Sequence, residues 1–171
     1  ISNNGMTKPA FKRFVNDKYI PWDVNHYGFK SNLSDINASI LTDQVINYSK
    51  VSKVKKNIYF KYKNYLSSIN QISLPTENIN MNRDYYLFPV GVKKKYRNKL
   101  IEHLLNKKIF VTVNFRSITE LSYYKKKYKN NNCPISEKWG KEQISLPFHA
   151  KITDKEIKTV SLEIKKFFEN F

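Results

Sequence analysis

The residue types best suited to chemistry sit in two short segments. Gly28-Phe29-Lys30-Ser31-Asn32-Leu33-Ser34-Asp35-Ile36-Asn37-Ala38 is a glycine turn running into an amphipathic pattern. The first N–H groups of a helix lack intrahelical partners and the helix dipole favours negative charge beside them, so such a start can hold a phosphate. Lys30 brings a cation to that place and Asn32 an amide donor. Val113-Asn114-Phe115-Arg116-Ser117-Ile118 carries an apolar strand into a polar-aromatic-arginine loop. A guanidinium fork next to an aromatic ring suits a nucleotide or a sugar phosphate. The residues alone leave a plainer alternative at each segment. Asn32 can cap a turn while Lys30 is solvated, and Arg116 can close a surface ion pair.

Other chemistries lack their residues. Gly5, Gly28, Gly91 and Gly140 are too scattered for a dinucleotide or P-loop fingerprint. His26, His103 and His149 fall in unrelated elements with no metal-ligand spacing. Cys133, the single cysteine, excludes an internal disulfide and suits the cytosol. It precedes a proline in a polar loop, where a resting thiol is expected rather than a nucleophile.

The elements that must position the two segments follow from periodicity. A short helix is expected around 7–15, then an irregular crossing with Pro21 and Trp22. From Ser34, a suitable N-cap, Ile36, Ile40, Leu41 and Val45 recur at helical spacing. A second helix is expected over 51–69, with Val54, Ile58, Tyr62, Tyr65 and Leu66 on one side. Pro75 and the polar stretch 76–82 read as a linker. Beyond it come strands at 86–92, 109–113 and 143–146. Between them fall a helix at 96–106 with Leu100, Ile101, Leu104 and Leu105 inward, and a short helix ending at Lys141. A last helix at 154–168 is capped by Thr153, with Ile157, Val160, Leu162, Ile164 and Phe167 as its apolar side. The sum is an α/β (α+β) architecture, a helical connector followed by a small three-stranded sheet with helices.

Composition sets outer bounds. The 171 residues, 40% of them apolar and 15% aromatic, suffice for one domain with a core or one domain with an extension. No apolar run approaches the roughly 20 residues that a membrane span requires, and no charged-then-apolar leader is visible. The chain opens at Ile1 rather than Met, as expected of a fragment or a processed piece. Its net charge of +17 points toward nucleic acid, but lysine supplies nearly all of it and only four arginines occur. Lys93-Lys94-Lys95-Tyr96-Arg97 and Tyr123-Tyr124-Lys125-Lys126-Lys127-Tyr128-Lys129 interleave rings with cations, a pattern that serves a single strand or simply a solvated surface.

Five ordered blocks resemble the C-terminal half of the DegT/StrS-type nucleotide-sugar aminotransferases, which are pyridoxal-phosphate (PLP) enzymes of the aspartate-aminotransferase fold class. They are Gly5-Met6-Thr7-Lys8 with Ala10-Phe11-Lys12-Arg13-Phe14; the 28–38 helix start; Tyr85-Tyr86-Leu87-Phe88-Pro89-Val90; the 109–124 segment with its Asn-Phe-Arg loop and Tyr-Tyr; and Ser145-Leu146-Pro147. The resemblance implies that 1–75 is a remnant of the large domain with interdomain and dimer helices, and 76–171 a small C-terminal domain. It implies that the lysine forming a Schiff base with PLP lies upstream of Ile1, so no catalytic residue is assigned here and the isolated chain is expected to be inactive. Asn32, with Lys30 beside it, is expected to reach the PLP phosphate of the partner subunit in a homodimer with shared sites; some relatives place the Asn at the Lys30 position and an Arg at the Asn32 position. Asn114, Phe115 and Arg116 are expected to approach the nucleotide-sugar substrate, Arg116 pairing with a diphosphate or a carboxylate. Many relatives have His at the positions of Asn114, Thr119 and Tyr86. Glutamate is the implied amino donor, a nucleotide-linked keto sugar the acceptor, and amino-sugar synthesis for surface polysaccharide in the cytoplasm the setting. Two alternatives stay open, a non-catalytic remnant of the family and a basic nucleic-acid-binding domain.

Overall fold

Ser34 starts the longest element. Its hydroxyl accepts the Asn37 N–H at 3.3 Å and its carbonyl the Ala38 N–H at 2.8 Å, so the cap read from the sequence is present. The helix that follows, α1 (Asp35–Leu66), runs for 32 residues without a break. The two helices expected at 34–45 and 51–69 are therefore one. Nothing between them stops a helix: no Gly or Pro intervenes, and Asn47 turns its amide back onto Asp43, bonding both the carbonyl and the carboxylate at 3.0 Å.

The computed structural model describes residues 14–15, 18–19, 23–24, 26–31, 33–77, 83–128 and 132–169. The chain divides into two compact units, Ile1–Tyr48 and Ser49–Phe171. In the first, β1 (Phe14–Val15) pairs antiparallel with β2 (Lys18–Tyr19), Phe14 opposite Tyr19. The helix expected over 7–15 thus fails at its end, where Phe14 and Val15, an aromatic and a β-branched residue, are types that suit a strand. The rest of that helix, with Pro21 and Trp22, lies outside the described residues.

The second unit is built on a three-stranded antiparallel sheet, ordered β3 (Ile72–Ser73), β4 (Phe88–Val92), β5 (Gln143–Leu146). Phe88 stands opposite Leu146 and Gly91 opposite Gln143, while Ile72 pairs with Val92. Pro89 sits in the middle strand without weakening it. Its partner Ser145 exchanges its N–H and C=O with Thr112 on the other side, so no ladder bond there needs a proline N–H. The strand expected at 109–113 reduces to that single Thr112–Ser145 bridge. β5 is only four residues long, and the chain leaves its edge at Asn114. The third strand is instead β3, two residues too short to show alternation.

Both visible faces of this sheet are covered, since all four β5 residues are buried. α2 (Lys94–Asn106) contributes Leu100 and Leu104, and α5 (Asp154–Glu169) contributes Ile157, Val160, Ile164, Phe167 and Phe168. The last turns of α1 add Tyr59, Tyr62 and Leu66. Tyr62 stacks on Phe88 with ring centres 5.0 Å apart and donates its hydroxyl to the Pro147 carbonyl at 2.9 Å. Leu105 and Leu162, expected inward, are exposed. Thr153 caps α5 as expected, its hydroxyl accepting the Glu156 N–H while Glu156 accepts the Thr153 N–H at 2.7 Å. The last turns of α1 and β3 belong to this core, which lies within the unit Ser49–Phe171.

Candidate functional site

The loop carrying Asn114, Phe115 and Arg116 leaves the edge of β5 just after Thr112 and is backed by α4 (Pro134–Glu142). The backing is a direct backbone contact. A β-carbon on Gly140 would stand 2.7 Å from the Ser117 nitrogen and 3.3 Å from Arg116 backbone carbons, so only glycine lets the helix lie this close. A 3₁₀ turn, Ile118–Glu120, and α3 (Ser122–Lys127) complete the loop.

Polar side chains fasten the same contact. Ser117, 4% exposed, has its hydroxyl 2.8 Å from that of Thr119, and Ser136 donates to it at 3.2 Å. Thr119 donates to Glu137 Oε1 at 2.7 Å, and the Cys133 N–H reaches the same oxygen at 3.4 Å. The Thr119 hydroxyl, then the Cys133 N–H, hold the Glu137 carboxyl below the usual carboxylate range. At the far end Lys141 pairs with Glu120 at 2.8 Å, which holds its ammonium above the ordinary value.

On this frame Asn114 is half-buried, while Phe115 stands 73% exposed and Arg116 is exposed. The Asn114–Phe115 peptide is cis. Arg116 donates one N–H to the Glu120 carbonyl at 3.3 Å. Among the described residues it has no carboxylate partner, since Glu120 is engaged by Lys141. Its fork keeps donors for a ligand, and the surface ion pair that the sequence left open does not form there. The structure brings Asn114, Phe115 and Arg116 together on one loop of the second unit.

The other segment belongs to the first unit. Lys30 is exposed, Tyr27 and Phe29 meet edge to face at 5.3 Å, and Asn32 lies outside the described residues. The first intrahelical bond of α1 is made by Ala38, and Ser34 takes the Asn37 N–H. The N–H groups of Asp35 and Ile36 therefore precede the ladder, as donors able to face an anion. The Asp35 carboxylate competes for that position.

Ser117, Ser136, Glu137 and Gly140 were not legible as site residues. Short polar residues carry no periodicity, and a hydroxyl meeting a carboxylate 18 positions away has no sequence signature. The two basic runs fall on different elements, one at the start of α2 and one on α3. Lys127 already lies over the rings of Tyr123 and Tyr128, at 5.7 and 5.4 Å. No group of His, Cys, Asp or Glu able to hold a metal occurs among the described residues, and no helix there is long and apolar enough to cross a membrane.

The chain is similar to known proteins along nearly its whole length. An uncharacterized protein of Methanocaldococcus jannaschii is 27% identical over 169 residues, covering 95% of this chain and 44% of that protein. The spore coat polysaccharide biosynthesis protein SpsC of Bacillus subtilis is 23% identical over 167 residues, covering 94% and 43%. The structure of Helicobacter pylori PseC, an aminotransferase involved in the biosynthesis of pseudoaminic acid, superposes with a TM-score of 0.75 at 18% identity, covering 98% of this chain and 44% of that one. The chain thus spans less than half the length of these proteins, and the fold it shares with PseC is the aminotransferase fold. The sequence profile of the DegT/DnrJ/EryC1/StrS aminotransferase family matches residues 1–165. The chain belongs to that family.

Proposed function

We propose that this chain is the part of a PLP-dependent sugar-nucleotide aminotransferase that walls the substrate and grips the phosphate end of the cofactor. The observation that carries this reading is the family match, which runs over residues 1–165. The roles of SpsC in spore coat polysaccharide biosynthesis and of PseC in pseudoaminic acid biosynthesis support an amino-sugar product for surface polysaccharide. Glutamate is the amino donor in this reading, a nucleotide-linked keto sugar the acceptor, and the cytoplasm the setting.

The residues present fit one end of PLP. Lys30, Asn32 and the leading N–H groups of α1 are donors of the kind a phosphate takes. PLP, when bound, supplies the electron sink for amino-group transfer. None of the lysines described here is assigned the covalent bond to it. Arg116 meets the diphosphate of the nucleotide sugar, with Phe115 flanking it and Asn114 bonding a sugar hydroxyl. A homodimer with shared sites is part of the proposal, and the exposed apolar residues Ile36, Ile40, Val45 and Ile46 on α1 support it.

Kinetics of the complete protein that contains this chain test the assignment. Arg116→Ala is expected to raise KM for the nucleotide sugar about ten-fold or more, leaving the half-reaction with glutamate within about two-fold. A rise confined to glutamate would move Arg116 to the donor carboxylate. No amino transfer by the wild-type protein with PLP, glutamate and a panel of nucleotide-linked keto sugars would leave the family remnant as the better account.

A further inference from the structure

We infer that Glu137 and Thr119 are positioning residues that latch the Asn114–Arg116 loop onto α4 and thereby set the reach of Arg116, an inference that rests on the reading of this loop as substrate-facing. One carboxylate oxygen serves two partners from different elements: the Cys133 N–H at the start of α4 and the Thr119 hydroxyl in the 3₁₀ turn. The first contact is local, a first-turn glutamate reaching back four residues to the N–H that precedes α4. The second is not local, since it joins residues 18 apart and is the shorter of the two, at 2.7 Å. Through Thr119 the network passes to Ser117, whose hydroxyl donates to Thr119 and accepts from Ser136, one position before Glu137. Arg116 is the next residue along, and its only hydrogen bond within the described residues goes to the Glu120 carbonyl, on the other side of Thr119. The guanidinium is thus anchored only to a turn, and the turn is anchored to α4.

The contact is costly to relax. Gly140 brings α4 onto the Ser117 backbone with no room for a methyl group, so the turn cannot shift toward the helix. Movement away from it breaks a hydrogen bond to a charged oxygen in a half-buried place, a loss larger than that of a neutral bond.

Amide hydrogen exchange and kinetics on the same variants of the complete protein test this. Thr119→Val keeps shape and removes only the hydroxyl, leaving the Cys133 cap intact. It is expected to speed exchange at Glu120 and Leu121, whose N–H groups bond within the turn, about ten-fold, the loss of one charge-assisted bond, with exchange in α5 unchanged. Glu137→Ala should do the same and also loosen the start of α4, while Glu137→Gln, whose amide oxygen still accepts, restores most of the protection. KM for the nucleotide sugar should rise in step with exchange, and kcat should stay within about two-fold. Unchanged exchange in Thr119→Val, or faster exchange in Glu137→Ala confined to α4, overturns the latch and leaves Glu137 a helix cap. Faster exchange with unchanged KM upholds the latch and overturns the substrate-facing reading of the loop.

Discussion

The two ends of α1 are built from the same kind of sequence and finish in opposite surroundings. Ile36, Ile40, Leu41, Val45 and Ile46 recur at helical spacing near its start, and all are exposed. Ile58, Tyr59, Tyr62 and Leu66 recur in the same way near its end, and all are buried. Ile36 keeps 75% of its surface and Leu66 keeps none. Periodicity declares a face, and only a partner buries it. The last turns find Phe88 and its neighbours within the second unit, and the first turns have no such core in the first unit's described residues. Helix growth is cooperative once nucleated, so the packed end can carry the exposed one.

Paired truncations are the largest test of that contrast. Leu66→Ala removes a fully buried side chain and is expected to cost about 2–5 kcal/mol. Ile40→Ala, on the exposed half, is expected to stay within about 0.5 kcal/mol while the chain is kept dilute enough to be monomeric, and to cost more only where the proposed dimer forms. Urea denaturation of the chain reads both. An equal cost at the two positions would mean that Ile40 is covered in solution, and the contrast would collapse into an interface.

Replacing small residues by alanine sharpens it further. Alanine in a helix is normally favoured over glycine by about 1 kcal/mol. At Gly140 the sign should reverse, because the new methyl group meets the Ser117 backbone nitrogen at 2.7 Å, and a net loss of about 1–3 kcal/mol is expected from overpacking. At Ser39, exposed on the first half of α1, alanine should gain a few tenths, roughly 0.3–0.5 kcal/mol. A gain at both would show that α4 does not press on the loop, and the close approach would be refuted by denaturation curves alone.

Acid should act on the packed half. Asp154 receives Lys158 at 2.9 Å, Lys61 at 3.1 Å and the Tyr65 hydroxyl at 3.1 Å, which ties the start of α5 to the last turns of α1. Lys158 first, then Lys61, hold its carboxyl down at about 2, against an ordinary 3.8. A carboxylate whose folded value is depressed contributes stability that is fully present above its ordinary value and is lost as pH falls through the folded value. The denaturation midpoint should therefore fall between pH 3.8 and 2, and Asp154→Asn, already destabilised at neutral pH, should lose less over that range. Parallel acid profiles of variant and wild type would remove Asp154 as the tie.

The same division runs through what could be read from sequence. Ser34 and Thr153 were legible as caps because a cap is one residue type beside the start of a pattern, and local hydrogen bonds answer to local sequence. α5 was legible because its stripe spans four turns. The break expected between 45 and 51 was not real, since a polar stretch without Gly or Pro leaves a helix free to continue. β3 escaped notice because two residues show no alternation, and 109–113 looked like a strand because β-branched and aromatic residues also line a segment bridged once. Leu105 and Leu162 are apolar residues at the margin of a stripe, where the sequence cannot say how wide the partner is. At the site, Phe115 and Arg116 stood out by type. Glu137 and Ser117 did not, because what they do depends on a fold that brings positions 18 and 19 apart within reach.

The smallest test concerns the end of α2, where the packed unit tolerates a residue the sequence would not favour. Lys108 has a φ of 59°, the left-handed region, and it sits just past the helix. Its N–H bonds the Leu105 carbonyl at 2.8 Å and the Ile109 N–H bonds the Leu104 carbonyl at 2.9 Å, the paired bonds of a Schellman cap. Ile109 and Leu104, the positions whose apolar contact accompanies this cap, are both buried. Glycine at 108 removes a β-carbon penalty of about 1–2 kcal/mol but adds about 0.5–1 kcal/mol of unfolded-state entropy, and it gives up a cation at the negative end of the helix, worth about 0.3 kcal/mol. Lys108→Gly should therefore gain about 0.5 kcal/mol. Lys108→Val, β-branched, should lose about 1 kcal/mol, because its side chain suits this φ least. Opposite signs in the denaturation midpoints of the two variants identify the cap as left-handed, and it then holds because Ile109 is buried behind it. Equal midpoints would place Lys108 in an ordinary turn, with the packed unit owing nothing to that cap.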